Sequence, residues 1–411
     1  MKRWAGAAGV LAVACSLFSE SQGPPPLLTS LPRDLTSAES RLAAASNELG
    51  FDLLRRAGGA AADSTVFLSP LSAAMALGMT LNGAAGFTLD SMRATLHLEA
   101  LALGDINTAY RSLVDLLRGL DPTSEFRIAN SIWAQAGVPW SPVFLETGRT
   151  SFDAEIQSLD LQAPASLGII NDWVKQKTNG KIPTILDQVG GDEVMFLINA
   201  IYFKGSWRSA FDPERTAPGS FEPASGPVQV VPMMDREPDT LSYGSDSDVE
   251  LVELLYGNGA FAMTIVLPRP GRTLAEVTAG LDAGRWAAWI EGLAKAKLGL
   301  VMPRFRLEYK RELKEDLAWL GMRRAFDPEL ADFSGLADLG QVGGNLFLTR
   351  VTQKTFVDVN EEGTEAAAAT SVGVGVTSAP VTFLVNRPFL FAIRERLAGT
   401  VLFLGQVARI P

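Results

Sequence analysis

One cysteine and one histidine occur in 411 residues, Cys15 and His97, and that scarcity excludes a good deal. A disulfide framework, a Cys/His zinc site and any metal centre with two histidine ligands are ruled out, and only carboxylate calcium or magnesium sites survive. A Ser-His-Asp triad would have to run through His97, which stands between Leu96 and Leu98 and reads as a surface or half-buried helix residue. The usual catalytic loops are lacking too. No serine has a Gly-x-Ser-x-Gly or Ser-x-x-Lys setting, Gly180-Lys181 is followed by Ile182, Lys204-Gly205 has the wrong order for a phosphate loop, and Gly373-Val374-Gly375 lacks a third glycine. The chain is therefore expected to be no enzyme, with no metal and no cofactor. Basic charge is also short. Against 46 Asp plus Glu there are 36 Lys plus Arg, and a net charge of −10 repels nucleic acid. What is present is apolar: 47% hydrophobic and 20% charged residues suit a large buried core.

Lys2-Arg3 followed by an uncharged, largely apolar run from Trp4 to Ala14 has the layout of a bacterial secretion signal over residues 1–14, too short to span a bilayer. Leu11-Ala12-Val13-Ala14-Cys15 resembles a lipoprotein signal, in which Cys15 becomes the lipidated first residue; plain cleavage near Ala14 with an incidental cysteine is the alternative. The expected location is the outer membrane or cell surface as a lipoprotein, otherwise the periplasm or the exterior. Residues 15–40, with Gln22-Gly23-Pro24-Pro25-Pro26 and few aromatics, read as a flexible tether holding the body off a membrane, or as a disordered leader without that role.

From 41 to 411 there is no linker and no repeat, so one domain is expected. Ser69-Pro70 reads as an N-cap followed by proline at the first helical position, opening a helix that stops at Gly83. Runs of strand character at Val194 to Phe203, Ala262 to Leu267, Leu298 to Met302 and Thr400 to Val407 alternate with helical patterns at Gly168 to Thr178 and Lys310 to Leu320. That mixture predicts an α+β fold with a sheet-rich C-terminal half.

The informative stretch runs from Asn360 to Pro380. Read with period two, Thr364, Ala366, Ala368, Thr370, Val372, Val374 and Val376 share one face, while Glu365, Ala367, Ala369, Ser371, Gly373 and Gly375 share the other. Such a strand fits between two existing strands at little steric cost, yet its alanines have no strong strand preference. An exposed Gly/Ala loop is an equally good reading of the composition.

Resemblance separates the two. Glu361-Glu362-Gly363-Thr364-Glu365-Ala366-Ala367-Ala368-Ala369-Thr370 resembles the reactive-loop hinge of the serpins, a family of serine protease inhibitors. Further motifs follow in serpin order: Phe67-Leu68-Ser69-Pro70-Leu71-Ser72, Asn130-Ser131-Ile132-Trp133, Thr178-Asn179-Gly180-Lys181-Ile182, Asn199-Ala200-Ile201-Tyr202-Phe203-Lys204-Gly205, Asp332-Phe333-Ser334-Gly335 and Asn386-Arg387-Pro388-Phe389. The match spans residues 41 to 411. It implies a serpin fold of three β-sheets and eight or nine helices, with an exposed reactive loop. It also implies a monomer whose partner is a serine protease, trapped as a covalent acyl-enzyme when the cleaved loop inserts into the central sheet.

In the family the cleaved bond follows the fourteenth residue after the hinge glycine, which here is Thr377, with Ser378 on the leaving side; a slip of one residue gives Val376-Thr377. No Lys or Arg lies between Gly363 and Val385, so the implied targets are elastase-like or subtilisin-like, and a cysteine protease remains an alternative. A non-inhibitory binding or chaperone-like serpin is the runner-up. Ser69, Ser72 and Asn199 match family positions that hydrogen-bond under the opening of the central sheet, and Trp207 matches the tryptophan near the loop's insertion point. Serpins usually carry a histidine, paired with that asparagine, where this chain has Gln353; an amide that donates and accepts is expected to keep the network. No basic helix lies near Arg93 to Arg118, so heparin-type activation is not implied.

Overall fold

In this computed structural model, residues 25–60, 63–342, 344–364 and 381–411 are described. Ten α-helices occur among them: α1 (Ser37–Ala60), α2 (Pro70–Leu81), α3 (Gly86–Thr95), α4 (Leu103–Gly119), α5 (Pro142–Phe152), α6 (Pro164–Lys177), α7 (Leu274–Ala279), α8 (Ala283–Glu291), α9 (Lys314–Trp319) and α10 (Leu339–Val342). The fifteen strands are β1 (Val66–Leu68), β2 (Ser124–Gln135), β3 (Ala154–Leu159), β4 (Met195–Ser206), β5 (Ala217–Phe221), β6 (Gln229–Ser245), β7 (Val249–Leu255), β8 (Phe261–Pro268), β9 (Ala294–Pro303), β10 (Phe305–Glu312), β11 (Thr352–Val359), β12 (Gly363–Thr364), β13 (Thr382–Leu384), β14 (Phe389–Glu395) and β15 (Val401–Val407).

The central sheet has six strands in the order β10-β11-β12-β4-β2-β3. The other nine strands are linked through the long strand β6, whose register shifts between Arg236 and Asp239. From Asp239 onward β6 lies between β7 and β9 in the sheet β1-β15-β14-β8-β7-β6-β9, and before the shift it lies between β5 and the end of β9, which carries β13, in a small sheet. Three sheets and an α+β class agree with the expectation; the helix count is higher than the eight or nine expected, because α7, α9 and α10 are single turns or little more.

Strand composition explains the layering. β8 is buried on both faces and reads Phe-Ala-Met-Thr-Ile-Val-Leu-Pro without alternation, as a strand covered on two sides must. α2 follows as the Ser69-Pro70 signal predicts. The Ser69 Oγ accepts the Ser72 N–H, and the small residues Ala73, Ala74 and Gly78 let the helix lie buried between β4 and β15. On the outer face of the central sheet α6 buries Trp173 edge-on against Trp133 of β2, ring centroids 6.0 Å apart.

Two sequence expectations are corrected here. Residues 310–312 are the end of β10, paired with Thr352 to Lys354, and helix begins only at Lys314; alternation from Phe305 to Tyr309 outweighs the charged residues' helical preference. The domain also begins earlier than residue 41. α1 opens at Ser37, and residues 25–36 are held against the body rather than free: Arg33 pairs with Glu39 and donates to Ser112 Oγ at 2.8 Å. Burial pushes the Glu39 carboxyl up, but the bonds from Arg33, Ser112 and Thr36 outweigh it and hold the pKa at about 2. The expected signal, Cys15 and the first part of the tether lie outside the described residues. Among the described residues no helix is long and apolar enough to cross a membrane.

Candidate functional site

Between β11 and β4 the central sheet holds β12, two residues long. Gly363 and Thr364 pair antiparallel with Ser206 and Gly205 of β4, and Thr364 pairs with Val359 of β11. Among the described residues β11 and β4 share no backbone pairing with each other, so the hinge alone bridges them. The slot thus has an occupied upper end at Gly363 and a lower end near Asn199 and Gln353.

At the upper end the chain leaves β11 in a tight turn built on Asn360. Its Oδ1 accepts the N–H groups of Glu362 at 3.0 Å and Gly363 at 3.2 Å, and its backbone N–H donates to Gly363 O at 2.9 Å. Trp207 grips the same turn. Its backbone N–H donates to Glu362 O at 2.8 Å and its Nε1 to Asn360 O at 2.9 Å. The indole stacks on Tyr256, centroids 4.5 Å apart at 14°, and the Tyr256 hydroxyl shares a 2.7 Å hydrogen bond with Thr364 Oγ1. Burial pushes the Tyr256 phenol far up, so it stays neutral and can donate or accept. Glu361 Oε1 accepts Thr216 Oγ1 at 2.8 Å and lies 3.8 Å from Arg304 Nη1.

Glycine is required at 363. With φ +154° its Cβ would stand 2.1 Å from Gly205 O and 2.8 Å from Ser206 Cα, both backbone atoms that cannot yield. Gly205 is equally constrained, because a Cβ there would meet the Phe203 and Tyr256 rings at 2.9 Å.

The lower end is arranged differently from the expectation. Ser72 Oγ donates to Asn199 Oδ1, and Asn199 Nδ2 donates to Asn130 Oδ1 at 2.6 Å, which ties β4 to α2 and β2. Gln353 does not join this group. Its Oε1 accepts Ser69 N–H at 3.0 Å and its Nε2 donates to Ser69 O at 2.8 Å, so β11 is tied to the start of α2 by a separate clamp. The expected pairing of Gln353 with Asn199 is therefore corrected. A primary amide carries donor and acceptor side by side and can match both backbone groups of one residue; an imidazole presents them on opposite sides of its ring. Ser69 Oγ then bonds Leu402 O at 2.7 Å.

Of the residues singled out in the sequence, Trp207 and Glu361 to Thr364 meet at the upper end, and Ser69, Ser72, Asn199 and Gln353 surround the lower. Glu365, Ala366 to Ala369, Thr370, Val376, Thr377 and Ser378 lie outside the described residues. Asn360, Tyr256, Thr216, Arg304 and Asn130 were not foreseen as site residues. The Asn-x-x-Gly spacing of Asn360 and Gly363 and the Asn130-Ser131-Ile132-Trp133 motif were legible signals among them.

A slot in a central sheet, with a small-residue hinge seated at one end, invites comparison with known proteins. The family model described as Serpin (serine protease inhibitor) matches residues 44–410. The chain belongs to the serpin family. This serpin is 32% identical over 357 residues to antithrombin-III of Mus musculus, covering 84% of this chain and 76% of that one. Among solved structures it is similar to the thermophilic serpin tengpin in its native state, with TM-score 0.81, 29% identity and coverage of 95% and 98% of the two chains. It is also similar to human thyroxine-binding globulin in complex with its hormone, with TM-score 0.82, 26% identity and coverage of 91% and 100%. His97, for its part, lies beyond α3 in a left-handed turn, φ 56°, with Nε2 2.8 Å from Asp52 Oδ2. Its partners, Asp52 and Glu48, are not residues of the slot.

Proposed function

We propose that this serpin is an irreversible suicide-substrate inhibitor of serine endopeptidases with small apolar specificity pockets, of the elastase or subtilisin type. The protease attacks the carbonyl of Thr377, releases the amine of Ser378 and is left as an acyl-enzyme; the freed loop then inserts from Thr364 downward and carries the protease with it before water hydrolyses the ester. The observation that supports this most is the seat of β12. Gly363 and Thr364 already hold the first strand positions between β11 and β4, and β4 offers further backbone groups below them. Stored conformational energy, rather than chemistry of the inhibitor's own, drives the step.

A second reading, a serpin-fold binding protein, is favoured by the likeness to thyroxine-binding globulin. Incubation with an elastase-like and a subtilisin-like protease, followed by denaturing gels and mass measurement of the released fragment, separates them. A complex that survives denaturation and a fragment starting at Ser378 are expected; complete cleavage with active protease refutes inhibition and leaves the binding reading. We further infer export directed by residues 1–14, acylation of Cys15, a membrane-attached location and a monomeric state. Mass spectrometry of the amino-terminal peptide from bacterial membranes tests the acylation, and light scattering the monomer.

A further inference from the structure

Residues 25–28 form neither helix nor strand, yet they lie at the pole of the molecule where the hinge is seated. Leu28 donates its N–H to Asn258 O at 2.7 Å. Arg396 reaches both sides of that contact, with Nη2 donating to Leu28 O at 2.7 Å and Nε to Gly259 O at 2.8 Å. Arg208 does the same for the start of the segment, since its Nη1 donates to Pro25 O at 2.6 Å and to Gly257 O at 2.9 Å. The carbonyls of three successive residues, Gly257, Asn258 and Gly259, are therefore taken by this segment or by the two arginines that hold it. Leu27 covers the bare backbone of Gly259, where a Cβ would come within 2.5 Å of its Cδ1.

The turn so held joins β7 to β8 and begins at Tyr256, the residue that stacks on Trp207 and hydrogen-bonds Thr364. Arg208 follows Trp207 directly. A two-glycine turn has wide conformational freedom unless its carbonyls are pinned, and charge-assisted bonds from arginine pin them more firmly than neutral donors do. We propose that residues 25–28 are a strap that positions Tyr256 and Trp207 as the seat of the hinge, so that the amino-terminal segment sets how readily Thr364 takes its place in the slot. Leu28, Arg208 and Arg396 are positioning residues for that step. The proposal rests on loop insertion being the working step of the function proposed above.

The test uses two full-length variants. Leu28→Pro deletes the one N–H that reaches Asn258, and Arg396→Ala frees Leu28 O and Gly259 O together. Hydrogen exchange followed by mass spectrometry is read at the hinge, residues 361–364, and at the lower end of the slot, residues 195–199 and 352–355. Exchange at the hinge is expected to quicken by about tenfold in both variants, with the lower end unchanged, as local loosening of one pole requires. Unchanged hinge exchange, with residues 26–29 themselves released, overturns the strap. Should Leu28→Pro unfold the chain, visible as faster exchange throughout, Arg396→Ala decides. Yield of the denaturation-stable protease complex is expected to fall several-fold in the same variants. If the unaltered chain traps no protease, the proposed function fails, while hinge exchange still judges the strap on its own.

Discussion

The two ends of the slot are built on different plans. At the upper end contacts cross the slot: Asn360, Gly363 and Thr364 belong to the incoming segment and meet Trp207, Ser206 and Tyr256, in that order, on the β4 side. At the lower end Asn199 ties β4 to Ser72 and Gln353 ties β11 to Ser69, each to the start of α2 and not to the other, and the crossing contact lies just below both strands, where Arg350 Nη2 donates to Glu193 Oε2 at 2.8 Å and Thr349 Oγ1 to Glu193 Oε1 at 3.2 Å. The difference teaches where resistance to strand insertion resides. A strand descending from the hinge meets no direct bond between Asn199 and Gln353, and the polar latch that joins the two edges stands below them, in the buried Glu193 carboxylate held by Arg350 and Thr349.

The sharpest way to break this comparison is Gly363→Val. Its Cβ clashes with Gly205 O and the seat is lost, at about 3 kcal/mol of the seated strand's stability by the usual penalty for overpacking against backbone. The stable protease complex should vanish in favour of cleaved inhibitor on denaturing gels. Retention of full trapping would show that the upper seat is dispensable.

Next in size is Gln353→Ala, which leaves the N–H of buried Ser69 unpaired and its C=O with the Ala73 N–H alone, and should lower stability by about 2 kcal/mol in denaturant unfolding. Asn199→Ala in the same background sharpens the point. With no bond between the two side chains, their effects should add to within about 0.5 kcal/mol, and a larger coupling would mean the lower end acts as one latch after all.

Tyr256→Phe removes a single hydroxyl from the upper end while keeping the Trp207 stack, and should cost about 1 kcal/mol of seating, seen as a modest rise in the number of inhibitor molecules consumed per protease trapped. The smallest effect serves as a control outside the slot. The bond to Asp52 raises the His97 pKa above its ordinary 6.5, against burial, with further help from the charges of Asp52, Glu48 and Glu99. Its contribution to stability is therefore whole below pH 6.5 and fades as pH rises through the raised value. Thermal unfolding of the parent and of His97→Gln should converge at high pH, while the contrast between the slot's two ends stays the same.

Much of the slot was legible residue by residue. Ser69-Pro70 announced both the start of α2 and its cap, because an N-cap hydroxyl and a proline with fixed φ are local devices. The hinge was visible as alternating small residues after a glycine. Gln353 was visible too, but its partner was not, since which acceptor an amide finds depends on geometry brought together from residues 284 positions apart. Residues 25–36 were misjudged for the same kind of reason. Proline-rich composition speaks for extended backbone, and whether extended backbone is free or docked depends on Asn258, Arg208 and Arg396 far along the chain.

By itself, then, the sequence determined local patterns: small residues alternating after a glycine, a capped helix opening at Ser69-Pro70, a glycine where the backbone comes closest, and a composition with a single histidine and a single cysteine. Those are properties of neighbours in the chain. Only the tertiary structure decided that the upper end of the slot is bridged by the hinge and the lower end by Arg350 and Glu193, and that residues 25–28 are held by Arg208, Asn258 and Arg396. Hydrogen bonds are directional and short, so which of several capable groups meet is settled by the packing that delivers them and not by their presence.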